Sequence, residues 1–90
     1  MPTLAFTPQL RRFIGDVGDI DTEAATLRVA LEEAFARWPR LRGYVLDDQG
    51  HLRPNVVIFI DGRRCSDRIA LAETLLPHSR VFVLQALSGG

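Results

Sequence analysis

Lysine is missing altogether: all eleven basic residues among the 90 are arginine. Cysteine is nearly missing too. The single Cys65 has no partner for an internal disulfide, and His51 and His78 are too distant in sequence to suggest a metal set. That usage points to a reducing, cytoplasmic setting. Neither sign of charge is in excess, since eleven acidic residues balance the arginines, so no nucleic-acid partner is expected. No apolar run approaches the roughly 20 residues of a membrane span. The opening "MPTLAFTPQLRRF" lacks the basic-then-apolar order of a secretory signal, so no membrane partner is expected either. Repeats, low-complexity segments and linkers are absent as well. What remains is one domain of ordinary composition, 47% apolar and 24% charged, long enough for a single core.

The patterning predicts the elements in order. "TLAFT" reads as a short strand that Pro8 interrupts, "PQLRRFIGDVG" as a loop, and "VGDIDTEA" as a second, partly exposed strand. In "ATLRVALEEAFARWPR", Leu27, Leu31, Phe35 and Trp38 recur at spacings of three and four, which predicts the main helix. Thr26 is its N-cap and Pro39 its end. "GYVLDDQGHLRPN" reads as a strand, a turn over 47–50 and a short return strand. "VVIFID" is apolar and β-branched throughout, as a central strand is, and "DGRR" is a turn. "ALAETLL" reads as a short helical turn closed by Pro77, and "SRVFVLQAL" as a second central strand. One helix packed on one face of a mixed four- to five-stranded sheet gives each apolar face a cover, so the fold class is α+β.

One helix covers only one side of such a sheet. Alternation puts Val56, Ile58, Ile60, Val81 and Val83 in the core, and leaves Val57, Phe59, Phe82 and Leu84 facing outward. Contiguous exposed apolar surface marks an interaction site, so these four are the candidate partner-docking residues. Cover by the hairpin or by a second copy is the alternative. Arg63 and Arg64, beside Asp61, form either a polar rim to that patch or a solvated turn.

Other chemistry-bearing residues have plainer readings. Cys65 has no base near it in sequence and reads as a small buried apolar residue. His51 reads as solvated beside a turn, and His78 lies in a loop. Asp47 and Asp48 are turn formers before they are paired carboxylates. Trp38 and Phe35 are core. "FIGDVGD" lacks the strand-to-helix context of a phosphate loop. No metal-binding residue is expected.

The chain closes with "RVFVLQALSGG", an apolar strand running into two glycines, a pairing that chance supplies about once in 200 chains. With "FTPQLRRFIG", "ATLRVAL" and "NVVIFIDG", this end resembles the ubiquitin-like sulfur carriers of the MoaD/ThiS type, over almost the whole chain. In length and in its hairpin-bearing middle it is most similar to the CysO-type carrier of cysteine biosynthesis. The resemblance implies a β-grasp domain over 1–87, with first and last strands paired, and a flexible Gly-Gly tail over 88–90. It also implies the chemistry. A C-terminal carboxylate, with a pKa near about 3.5, is ionised at neutral pH and a poor acyl donor. A partner adenylyltransferase of the ubiquitin-activating type would therefore join Gly90 to AMP. A sulfurtransferase or persulfide would displace AMP to leave a thiocarboxylate for a downstream synthase. Ser88 and Gly89 would thread the partner's channel, since glycine lacks a Cβ. On this reading the chain is a substrate of its partners and not an enzyme. It binds no cofactor tightly, and the ATP is the adenylyltransferase's. Two alternatives are a constitutive small subunit of molybdopterin synthase and a ubiquitin-like protein modifier conjugated through Gly90. Having no lysine, such a modifier could not build side-chain-linked chains on itself.

Overall fold

In strand β1, Thr3–Phe6, alternate residues are buried, with Leu4 and Phe6 turned inward. The computed structural model describes residues 1–15 and 18–85. Helix α1, Pro8–Ile14, follows where a loop was predicted. The proline misleads: in a helix's first turn its missing N–H costs nothing and its fixed φ is already helical. Gly15, at φ 96, ends α1 in a conformation that suits glycine. Strand β2 is only Ile20–Asp21, antiparallel to β1.

Helix α2, Leu27–Arg37, is the element the periodicity predicts. Leu27, Ala30, Leu31, Ala34 and Phe35 are buried along one stripe. The Thr26 hydroxyl accepts a hydrogen bond from the Val29 N–H at 3.4 Å, and the helix stops at Trp38, just before Pro39. Trp38 is half-buried and stands edge-on to Phe6, ring centres 6.3 Å apart.

The next segment departs from expectation. Instead of a strand at Gly43, a one-turn helix α3 spans Leu41–Val45. Leu41 and Val45, four apart, are both fully buried while Gly43 between them is exposed, which suits one helical turn and not a strand, where 41, 43 and 45 would share a face. The hairpin shrinks to a single bridge, Leu46 to Leu52. Its turn forms as predicted: the Asp47 carboxylate accepts the N–H groups of Gln49 and His51. Leu46 and Leu52 join the core.

Strand β3, Val56–Ile60, turns at Asp61 and Gly62, whose φ values of 52 and 80 suit a tight two-residue hairpin, into β4, Arg63–Arg64. No helical turn forms over 70–76. That stretch lies beside the start of α2, bridging Thr74 to Thr26. The Glu73 and Leu71 carbonyls accept the N–H groups of Leu27 and Arg28, donors that a helix's first turn otherwise leaves without partners.

Strand β5, Arg80–Gln85, lies at the centre, parallel to β1 and antiparallel to β3, in the order β2-β1-β5-β3-β4. The first and last strands are therefore neighbours. Val56, Ile58, Ile60, Val81 and Val83 all lie in the core, at most 4% exposed.

Candidate functional site

The sheet's other face carries the candidate docking residues. Successive residues of a strand point to opposite sides, so each inward residue of β5 and β3 has an outward neighbour. Register brings the outward ones together: Phe82 stands opposite Phe59 on one side and Ala5 on the other, and Leu84 opposite Val57. Phe82 is 48% exposed, while Val57, Phe59 and Leu84 are half-buried against their neighbours. All four predicted docking residues thus form one patch. The hairpin does not cover it, since Leu46 and Leu52 pack into the core.

Its borders are polar. Arg64 stands opposite Phe59 and shares its face, whereas Arg63 stands opposite the inward Ile60. Asp61 is engaged elsewhere: its carboxylate accepts the Ser79 hydroxyl at 3.0 Å and the Arg80 N–H at 2.9 Å, fixing the start of β5. Beside Phe82 opens a cleft of about 240 Å³ lined by Thr3, Ala5, Asp19, Arg80 and Val81. Thr3 and Ala5 were not foreseen as part of this face. Alternation in "TLAF" turns them outward, but only the β1–β5 register sets them beside Arg80 and Phe82.

At the far end of β5, Gln85 carries a buried side-chain oxygen with no hydrogen-bond partner among the described residues. Its own N–H donates to the Thr7 hydroxyl at 3.4 Å. Ser88, Gly89 and Gly90, the residues to which the resemblance assigns chemistry, lie outside the described residues.

The remaining candidates stay apart from this face or serve structure. Cys65 is 2% exposed. Burial, reinforced by Glu73, pushes its thiol up to about 11, so at neutral pH it is protonated and inert. The Asp47 carboxyl is held below its ordinary range by the His51 backbone N–H, as befits a turn former. His51 is half-buried and His78 exposed. No group of three His, Cys, Asp or Glu residues among those described could hold a metal ion. None of the described helices is long and apolar enough to cross a membrane.

Two structural determinants escaped the sequence reading. The Asp67 carboxylate accepts N–H bonds from Ile69, Ala70 and Ala72. Arg28 donates to the carbonyls of Gly50, Ile69 and Ala70. Both hold the stretch that follows β4, and an Asp two residues after a cysteine carries no signal of that role.

No protein-family model and no curated protein matches the sequence. Solved structures do match the fold. CysO in the BexX/CysO complex of Amycolatopsis orientalis superposes with a TM-score of 0.83 at 14% identity, covering 100% of both chains. SAMP1, the small archaeal modifier protein 1 of Haloferax volcanii, gives 0.78 at 22% identity over 99% of this chain and 98% of its own. CysO of Mycobacterium tuberculosis gives 0.76 at 20% identity, covering 97% and 100%. The chain has the ubiquitin-like β-grasp fold. At these identities the likeness establishes the β-grasp architecture alone. It agrees with the resemblance read from the sequence, in which the CysO type already figured.

Proposed function

We propose that this β-grasp chain is a sulfur carrier that works through the carboxylate of Gly90. The observation that carries the reading is one strand with two jobs. The inner face of β5 closes the core through Val81 and Val83, and its outer face exposes Phe82 and Leu84. The same strand then leads, within five residues, to Ser-Gly-Gly. The outer patch supplies affinity for a partner while the tail carries the reacting group into that partner's active site. A partner adenylyltransferase converts the carboxylate to an acyl adenylate, and a sulfur nucleophile displaces AMP to leave the thiocarboxylate. That CysO is found in complex with BexX supports a carrier that meets a separate partner protein, and the burial of Cys65 supports the tail over that thiol as the carrier of sulfur.

The test is direct. The protein is incubated with ATP, its cognate adenylyltransferase and a sulfide source, then weighed intact. Replacement of one oxygen by sulfur adds about 16 Da. An unchanged mass with every adenylyltransferase of its own cell overturns the reading. The likeness to SAMP1 favours a second use of the same tail, as a protein modifier. Amide-linked adducts of this chain in cell lysate separate that use from sulfur transfer.

A further inference from the structure

The fold explains only some of its arginines. Arg28, Arg53 and Arg68 each aim a guanidinium at backbone carbonyls: Arg28 at Gly50, Ile69 and Ala70, Arg53 at Gly43, and Arg68 at Arg53 and Val56. A planar fork suits such multiple acceptors better than lysine's single ammonium. Arg11 and Arg42 pair with Asp19 and Glu32, and Arg37 lies over the Trp38 ring at 5.9 Å. Arg12, Arg40, Arg63, Arg64 and Arg80 are different. They are exposed and make no side-chain hydrogen bond or ion pair among the described residues. Lysine would serve the fold equally at those five positions, and none of them has it.

Their location gives this a consequence. Arg64 and Arg80 border the outer face, and Arg12 lies in the helix that begins beside Thr7, the residue bonded to Gln85. Five residues beyond Gln85 span at most about 17 Å when extended, and the five steps back along β5 to Arg80 cover about the same distance. Side chains on this face and at this end are therefore within reach of Gly90. The Met1 amine is not. Parallel pairing sets Thr3 beside Arg80, so Met1, two residues further back, lies about 24 Å from Gln85 along the sheet.

We propose that the basic surface is written in arginine so that an activated Gly90 meets no nucleophilic amine on its own body, which reserves the acyl group for a partner's nucleophile. This rests on the carrier reading above. In the reaction avoided, a neutral amine nitrogen attacks the carbonyl carbon of Gly90. The C–N bond forms, the bond to the leaving group breaks, and AMP or a thiolate departs with the electron pair while the nitrogen loses a proton to water. Guanidinium groups, protonated at all relevant pH values, offer no free lone pair.

The experiment needs no partner enzyme. The full chain is prepared with Gly90 as a mercaptoethanesulfonate thioester, alongside Arg12→Lys, Arg64→Lys and Arg80→Lys. Each is held at mildly alkaline pH and followed by intact mass and denaturing gel. The unaltered chain is expected to hydrolyse to the free acid. The lysine variants are expected to form internal amides, one water lighter than the acid, and amide-linked dimers, at least about tenfold more than the unaltered chain. Equal amide formation by all four proteins, or hydrolysis alone in all three variants, overturns the proposal. The carrier reading fails separately, by finding neither AMP nor sulfur on Gly90 of protein isolated from its own cells, an outcome that leaves the thioester result standing.

Discussion

The two faces of β5 and β3 are made of the same kinds of residue and answer to different constraints. Inward, Val81, Val83, Val56, Ile58 and Ile60 are at most 4% exposed beneath α2 and its neighbours. Outward, the cross-strand pairs Phe82–Phe59 and Leu84–Val57 form the more open face among the described residues, and Phe82 stays about half exposed. Hydrophobicity alone does not tell these faces apart. What separates them is whether the chain supplies its own cover. A residue such as Phe82, apolar and left open, gains little from folding, and with its neighbours it makes the contiguous patch on which the docking proposal rests. The predictions below probe that division in order of decreasing effect on stability.

Truncation on the covered face comes first. Ile58→Ala removes a fully buried side chain from a central strand and should cost about 2–5 kcal/mol. Against a total of about 5–15 kcal/mol for a domain, that is a large share. Chemical denaturation followed by circular dichroism measures it. A loss below about 1 kcal/mol would mean that the inner face is less tightly packed than its burial indicates.

Gln85 lies at the boundary of the two regimes. Its buried oxygen has no partner among the described residues, and an unmet acceptor costs about 1–3 kcal/mol. Gln85→Leu removes the acceptor, keeps the backbone N–H that Thr7 receives, and is expected to stabilise the fold by about 1 kcal/mol. If the substitution also weakens transfer to a partner, the unmet oxygen serves the tail and not the core.

Much of this division was legible in the sequence, because it rests on periodicity. Leu27, Leu31 and Phe35 gave away α2, and alternation in "VVIFID" and "RVFVLQ" sorted the two faces correctly. Failures fell where one residue's context reverses its usual meaning. Pro8 stops a strand and, in the same place, starts α1. "ALAETLL" has helical composition, yet its carbonyls at Leu71 and Glu73 instead accept the first N–H groups of α2. "GYVL" has strand-like residues, but burying Leu41 and Val45 while leaving Gly43 between them exposed takes a helical turn. Ala5 as a neighbour of the patch depends on strand register, which no local pattern encodes, and register also decides that Arg64 and not Arg63 shares the patch's face.

Phe82→Ser tests the open face. The lost cross-strand contact with Phe59 is worth at most about 1 kcal/mol, so the melting midpoint should move little. Affinity for the adenylyltransferase should instead fall by at least about tenfold, since exposed aromatic anchors dominate docking energies. A variant that binds normally assigns Phe82 no part in docking, and one that unfolds shows the patch to be core after all.

The smallest expected effect at neutral pH belongs to Asp67, far from either face of β5 in role. N–H groups led by that of Ala72 hold its carboxyl below the ordinary carboxylate range. A carboxyl with a lowered folded-state pKa contributes stability above its unfolded value, near about 3.9, and loses that contribution as pH falls through the folded value. Asp67→Asn keeps an acceptor oxygen and abolishes the titration. The unaltered chain should therefore lose stability more steeply than the variant below about pH 4, and the two should converge in stronger acid. Parallel acid-denaturation curves would show that the segment following β4 is held by Arg28 through its bonds to Gly50, Ile69 and Ala70, and that the Asp67 carboxylate adds nothing to it.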